Sequence, residues 1–391
     1  MSIKLTYSVL GSGMQGTAAA YDIAKFGDAG CIRMGDVSLE QAEKSCRRVN
    51  ELIGEAICEP HQVNALDPVN LGAFLKPATV VVSCVPYWMH PKIAKVAIEV
   101  GTSMVDLGGN TDVTMETLKM NEEAFHAGVT VVPDCGLAPG LVNNLGCYCM
   151  EHLDTANSVK MYCGVLPQNP KPPLNYMLTF NVEGLLTEYD YKAVVIRNHE
   201  VALVDTLDEL ESLQIEGLGR MEAFTTSGGT STAPYTFKEK VTNYEYKTIR
   251  YPGHCAQMRL FKDFGFWGEE EVHVHGVKVK PRMLWYELMG PKLESMKDLD
   301  LCAVRAVGVG EKDGKQHSVQ IDILDKQCQT TGFTSMERLT GFSAAVYAIA
   351  IAKKELSSGC LRYETAMTGT KFVEEIQRRG VHLHIQENHG V

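Results

Sequence analysis

Gly11, Gly13 and Gly16 stand in the hexapeptide GSGMQG (residues 11–16), directly after a run of apolar and β-branched residues and directly before an alanine-rich stretch. In that setting each glycine has a physical task. The first permits a tight turn, the second lets the backbone approach a pyrophosphate, and the third lets helix and strand pack closely. The N-terminus of the helix that follows offers unpaired amides to an anion, which brings Ser12, Met14 and Gln15 into the same candidate site. Roughly twenty residues on, Asp36 closes the second expected strand. Its carboxylate can accept from both hydroxyls of a ribose and would repel a 2′-phosphate, which selects NAD over NADP. A glycine turn that binds nothing, or another nucleotide, is the competing reading. The strand before, the helix after and the acid at this distance weigh against it. Cys84, Val85 and Pro86 follow the fourth expected strand, on a loop at the carboxyl edge of the sheet, and are expected to touch the cofactor together with Asn143.

The elements that must position these groups alternate over residues 1–142. Short β-rich runs at 5–10, 31–35, 57–59, 79–84, 103–106 and 130–133 are separated by helical patterns at 15–26, 39–52, 68–75, 90–100 and 112–127. This is an α/β signature: a Rossmann-type, doubly wound parallel sheet of six strands. Beyond Pro139-Gly140 and a helix reaching Met150 the texture changes to β-rich segments at 158–165, 178–180, 191–197, 245–250, 272–278, 300–310 and 317–324, the last two flanking an Asp313-Gly314 hairpin turn. A second, α+β domain on a mostly antiparallel or mixed sheet is expected there. From Ser335 the chain is helical again, with Gly380 as a C-cap and a strand-like run at 381–385. The expected division is a dinucleotide-binding domain of residues 1–142 and 335–391, with a substrate-binding and oligomerisation domain of 143–334 between.

Bulk numbers limit the function classes. At 391 residues, 45% hydrophobic and 22% charged, the chain reads as a two-domain globular protein. Its 48 acids against 37 Lys and Arg give a net charge of −11, so no basic footprint for nucleic acid or anionic lipid is present. The start runs straight into a strand without a secretory pattern, and the longest apolar stretch, 342–352, is too short to span a bilayer. A cytoplasmic location follows as an expectation, with the twelve cysteines as reduced thiols. No CxxC occurs, and the pairs His273 and His275, and His382 and His384, alternate on strands toward solvent, so no metal is expected.

Four further strings go beyond the glycine turn: VPYWMHP (85–91), CGLAPG (135–140), YCGVLP (162–167) and TIRYPGH (248–254), with RLTGF at 338–342. In this order and over nearly the whole chain they resemble the saccharopine dehydrogenase family, in its glutamate-forming reductase branch and the related L-lysine 6-dehydrogenases, the latter most closely. The resemblance implies NAD-dependent hydride transfer from C6 of lysine, leaving an imine that water converts to the semialdehyde, which cyclises. Arg250 resembles the family's carboxylate-binding arginine, and its planar fork suits a carboxylate as a lysine would not. Cys163 aligns with a thiol near the reacting carbon, in the role of proton shuttle or of packing. The chain departs from the reductase branch at Ala138, where that branch commonly carries Asp.

The chemistry needs a cation for the carboxylate, a neutral amine and a base that activates water on the imine. Asp134 is the nearest carboxylate to replace the one absent at Ala138, as base or as the anion for the ε-ammonium, with helix capping as the alternative. Tyr87 either hydrogen-bonds the amine or forms a wall on the nicotinamide, and His254 and, behind it, His199 are candidates for water activation. Gly136, Gly164, Thr230 and Thr232 complete the expected substrate surface, the threonines offering hydroxyls to the α-ammonium. The alternatives are a saccharopine reductase-like or carboxylated-polyamine dehydrogenase, whose substrate demands a second cation, and, in another class, a non-catalytic NAD-binding sensor. The expected partners are a small amino acid and, through the second sheet, further copies of the chain.

Overall fold

The computed structural model describes residues 4–179, 182–296 and 298–389. The chain divides into two compact units. One comprises Met1–Glu151, Ser231–Ala233 and Cys328–Val381, the other His152–Thr230, Pro234–Gln327 and His382–Val391.

The first unit is built on a seven-stranded parallel sheet in the spatial order Gly359–Cys360, Thr130–Val132, Ser103–Asp106, Val80–Ser83, Leu5–Leu10, Ala29–Asp36, Cys58–Gln62. The chain starts in the middle, winds outward through the second and third strands, then returns to wind the other way. The strand order therefore reverses beside Leu5–Leu10, and this doubly wound sheet leaves its crevice at the carboxyl ends of the central strands. Val80–Ser83 and Ser103–Asp106 are buried along their whole length, as strands covered by helices on both faces must be. Local signals set the helix starts. Ser38 caps Leu39–Ile53, Asp67 caps Pro68–Leu75 with proline in the first turn, and Asn110 caps Thr111–Leu118.

Two expectations for this unit change. The helix expected over 112–127 is two helices, Thr111–Leu118 and Asn121–Ala127. Asn121 begins the second and accepts the Cys360 amide at 2.9 Å, so the break serves the seventh strand, which lies outside the expected six. The tail contributes the helix Ser335–Ala352, opened by a capping box between Thr334 and Glu337 and buried on nearly every side. It packs on Met14–Phe26 at Gly341, where an added Cβ would lie 2.8 Å from Ala18 Cβ.

The second unit holds a nine-stranded mixed sheet. Its path runs Glu211–Ile215, Gly219–Thr225, Val241–Arg250, Thr155–Pro167, Asp300–Lys312, Lys315–Lys326, Leu383–His389, and the hairpin Ala193–Arg197 with Glu200–Val204 joins at Val241–Arg250. Within this sheet, among the described residues, only Val241–Arg250 and Thr155–Pro167 run parallel. The Asp313-Gly314 turn is present, with both residues at positive φ as this turn requires. The chain end, expected to return to the first domain, pairs instead with Lys315–Lys326, setting Leu383 and Ile385 opposite Ile323 and Ile321. The run at 272–278 is a hairpin rather than one strand, Val272–Val274 and Val277–Val279, turning at His275 and Gly276. Leu178 and Thr179 form no strand, and Phe180 lies outside the described residues. Helices Val182–Asp190, His254–Asp263 and Pro281–Ser295 gather a core of Tyr176, Leu185, Tyr189, Phe224, Trp267 and Trp285.

Candidate functional site

The glycine turn lies at the carboxyl end of Leu5–Leu10. Gly11 has φ +93°, and a Cβ there would stand 2.7 Å from the Cys84 carbonyl oxygen. A Cβ on Gly16 would stand 2.0 Å from the Gly11 carbonyl oxygen, so only hydrogen fits where helix crosses strand. Around Gly13 nothing lies within 4 Å of an added Cβ. The helix Met14–Phe26 has no side-chain cap and no acid in its first turn, which leaves its positive end to an anion. Asp36 holds this end in place: Oδ2 accepts the Ser12 amide at 2.9 Å and Oδ1 the Ser38 amide at 3.0 Å. The Ser12 hydroxyl turns inward to Gly35 O, and Met14 is exposed. The open space over Gly13, the uncapped helix and the anchored acid fit a dinucleotide.

Other expected cofactor contacts divide. Cys84 and Val85 border the turn, and burial together with the Asp106 charge lifts the Cys84 thiol to about 12, so it stays protonated. Pro86 and Tyr87 are exposed on the adjoining loop, with Tyr87 against Gly109. Asn143 is buried, and its amide donates to the Tyr363 hydroxyl at 2.6 Å. Its side chain is spent inside the fold.

At the ends of the next strands stands a pair of carboxylates that are neighbours in space. Asp106 Oδ1 accepts the amides of Gly108 at 2.8 Å and Asp134 at 2.9 Å, while His90 Nδ1 approaches Oδ2 at 3.5 Å. Asp134 has φ +64° and no exposure, and its carboxyl accepts from the Thr114 hydroxyl at 3.0 Å and from the Ser231 hydroxyl. Burial, then the charge of Asp106, raises its pKa from 3.8 to about 8 against the pull of those two hydroxyls. A carboxyl with that value holds a proton at neutrality and releases it in mild alkali. This is the range of a general base. Cys135 beside it is pushed well up by burial and stays a thiol. Gly136 is a packing glycine, since a Cβ there would stand 2.6 Å from Leu107 O. Thr232 donates to Glu364 at 2.8 Å rather than offering its hydroxyl outward.

The second unit has its own charged centre. Arg250 ends Val241–Arg250 and is buried. Its Nε donates to the Tyr189 hydroxyl at 2.9 Å and Nη1 to Ile249 O at 3.0 Å, and the guanidinium lies 5.0 Å from the Tyr176 ring centroid. The remaining Nη2 meets Glu188 at 3.3 Å, whose side chain is 32% exposed while that of Arg250 is 5% exposed. One edge of the fork is thus fixed, and the other faces a carboxylate that reaches solvent. Burial lifts the Glu188 carboxyl above its ordinary value, and Arg250 opposes this.

His254, Cys163, Gly164 and Thr230 belong to the second unit, each against neighbours of its own. The two nitrogens of His254 meet Tyr189 Oη at 3.1 Å and Leu174 O at 3.0 Å, and burial followed by the Arg250 charge lowers its pKa to about 3. A neutral ring with both nitrogens engaged positions Tyr189 and does not activate water. Cys163 is buried with its Sγ 4.0 Å from Cys302 Sγ. Gly164 lets strands meet, since a Cβ there would stand 2.4 Å from Ile249 O, and Thr230 donates to Val194 O. His199 sits at the tip of the Ala193–Val204 hairpin, bonded to Lys238 O and Thr242. Sequence reading missed Glu188, Tyr189, Tyr176, Asp106 and Ser231. None has a spacing that marks it, because each acts by proximity to a group far along the chain. Among the described residues no group of three or more His, Cys, Asp or Glu could hold a metal ion, and no helix is long and apolar enough to cross a membrane.

A doubly wound sheet with this glycine turn defines an NAD(P)-binding α/β protein. The chain belongs to the saccharopine dehydrogenase family: residues 8–132 match the saccharopine dehydrogenase NADP binding domain and residues 136–381 the saccharopine dehydrogenase C-terminal domain. It is 26% identical over 240 residues to the mitochondrial alpha-aminoadipic semialdehyde synthase of Mus musculus, covering 56% of this chain and 24% of that protein. It is 20% identical over 273 residues to the saccharopine dehydrogenase [NADP(+), L-glutamate-forming] of Saccharomyces cerevisiae, covering 68% of this chain and 60% of that one. The chain thus spans about a quarter of the length of the mouse relative. An apo structure of the yeast L-Glu-forming enzyme has the same fold, with a TM-score of 0.78 at 17% identity over 98% of this chain and all of that one. The homospermidine synthase of Legionella pneumophila, solved with NAD, follows at 0.66 and 11%, over 99% and 93% of the two chains.

Proposed function

We propose that this protein oxidises the side-chain amine of an amino acid, L-lysine, with NAD. The C6–H and N–H bonds of the neutral amine give an imine, a hydride and a proton. Water then adds to the imine, ammonia leaves, and the 6-semialdehyde cyclises. NAD supplies the hydride acceptor. The observation that carries the reading is the Arg250–Glu188 pair, a buried cation beside a solvent-reaching carboxylate. An amino-acid head group is its complement: the α-carboxylate takes the free edge of the guanidinium, and Glu188, released from Arg250, takes the α-ammonium in place of the threonine hydroxyls. Tyr189 and Ile249 O hold the fork while this exchange occurs. Asp134, once ionised, serves as the base of the reaction, with the Ser231 hydroxyl bonded to its carboxylate. Asp36 favours NAD because a 2′-phosphate would bring further negative charge against it.

The relatives favour a second reading, cleavage of a secondary amine such as saccharopine, which differs in the extra carboxylate the substrate carries. Reduced nicotinamide is followed by absorbance in mild alkali with lysine and with saccharopine, each with NAD and with NADP. Turnover of lysine with NAD is expected. Turnover of saccharopine with lysine inert moves the assignment to the second reading. Arg250→Ala and Glu188→Gln should each raise KM for the amino acid by about 10- to 100-fold, the range of a charge-assisted hydrogen bond, and leave KM for NAD in place. Equal effects on both would show that the head-group site lies elsewhere.

A further inference from the structure

Ser38-Leu39-Glu40-Gln41 opens the helix Leu39–Ile53 with the pattern of a capping box, and the Ser38 hydroxyl accepts the Gln41 amide at 3.3 Å as that box requires. The reciprocal half is diverted. A glutamine at this position ordinarily reaches back to the backbone amide of its own cap, but here Asp36 Oδ1 accepts the Ser38 amide at 3.0 Å. The Gln41 side chain reaches the glycine turn instead, where Nε2 donates to the Ser12 carbonyl oxygen at 2.6 Å. One turn further along the helix, the Ser45 hydroxyl donates to the same oxygen at 2.6 Å and accepts from Gln41 Nε2 at 3.1 Å. One carbonyl of the turn thus receives two donors from a neighbouring helix.

The groups around that carbonyl are engaged as well. The Ser12 amide donates to Asp36 Oδ2 and the Ser12 hydroxyl to Gly35 O, while Gly13 O accepts the Thr17 amide at 3.0 Å and the Thr17 hydroxyl at 2.7 Å. Among the described residues the Gly13 amide has no partner, and Gly13 is exposed. The Ser12–Gly13 peptide is trans, so its N–H points opposite to its C=O. Fixing Ser12 O on the helix Leu39–Ile53 therefore aims the Gly13 amide the other way, out of the turn, and two donors on the carbonyl polarise the peptide and strengthen that N–H. We propose that Gln41 and Ser45 are positioning residues of the dinucleotide site: acting through the Ser12–Gly13 peptide, they hold the Gly13 amide toward the pyrophosphate. These roles rest on the reading of the turn as a dinucleotide site and are independent of which amine the protein oxidises.

Titration with ADP, which carries the pyrophosphate, and with adenosine, which lacks it, separates positioning from general support of the fold. Gln41→Met and Ser45→Ala each remove a donor without adding charge, and both new side chains favour a helix. Each single variant leaves one donor on Ser12 O and should weaken ADP by about threefold, and the double variant by at least roughly tenfold, the range of a hydrogen bond to a charged group. Adenosine should stay within about twofold of wild type, and NAD should lose affinity in step with ADP. If the double variant does not fold, the ratio of ADP to adenosine affinity in the single variants decides. Adenosine weakened as much as ADP would reduce both side chains to supports of the fold, and an unchanged ADP affinity in the double variant would overturn the assignment outright. Wild-type protein that binds neither ADP nor NAD would refute the reading of the turn itself.

Discussion

Replacing Asp134 by Asn tests the proton acceptor and the electrostatics of the site together. The fold raises this carboxyl from 3.8 to about 8, chiefly by burial and then by the charge of Asp106. A shift of about four units at about 1.4 kcal/mol each amounts to roughly 5 kcal/mol favouring the protonated form. Below about pH 4 the group is protonated in both folded and unfolded chains. Between about pH 4 and 8 the unfolded chain loses the proton while the native one keeps it, so native stability falls as pH rises and levels off above about 8. Asn is neutral at every pH and removes this slope. It also suits the site, since it tolerates the φ of +64° and its amide can still meet Thr114 and Ser231, whose hydroxyls rotate. Asp134→Asn should therefore gain stability relative to wild type as pH rises, by up to about 5 kcal/mol between pH 4 and 9, read from urea midpoints. Catalytically, about one carboxyl in ten is ionised at pH 7, so kcat should climb with pH and level off above about 8. In the variant that limb should vanish and kcat fall by about 100-fold or more, the usual contribution of a positioned base. A variant that keeps the limb near pH 8, or stays within tenfold of wild-type kcat, would mean that the base is another group.

The glycine turn gives a paired contrast. Gly16→Ala places a Cβ 2.0 Å from the Gly11 carbonyl oxygen and should lower Tm by several degrees or prevent folding, whereas Gly13→Ala meets open space and should keep Tm but weaken dinucleotide binding by about tenfold or more. Equal behaviour of the two in melting and cofactor titration would contradict these roles. Asp36→Asn keeps an acceptor for the Ser12 amide while removing the charge, so the ratio of kcat/KM for NAD over NADP should drop at least roughly tenfold. An unchanged ratio would show that Asp36 does not read the ribose.

The strand, glycine turn and helix at 5–26 and the acid at Asp36 were legible because each signal is local. A strand period, a glycine at a positive φ and a cap are written within a few neighbouring residues. The parallel, doubly wound character of the first sheet followed from the alternation of its strands with helices. The second unit was less legible. Its short edge strands Glu200–Val204 and Glu211–Ile215 are five residues each, too short for a strand period to stand out from the surrounding loops, and the 272–278 run hides a turn at His275-Gly276 inside one apolar pattern. The final strand joins the second sheet because of a pairing with Lys315–Lys326, which no local pattern at 381–385 specifies.

By itself the sequence determined the dinucleotide turn, the alternating strands that carry it, and the candidacy of Arg250 and Asp134. Only the tertiary structure decided what those groups are. Burial, and after it the charge of Asp106 twenty-eight residues earlier, raises the proton affinity of Asp134, and Glu188, sixty-two residues before Arg250, occupies the free edge of its guanidinium. The same folding engages His254, Thr230 and Thr232 in internal bonds. Desolvation and pairing depend on what is brought around a group through space, and the spacing of residues along a chain encodes only what stands within one element.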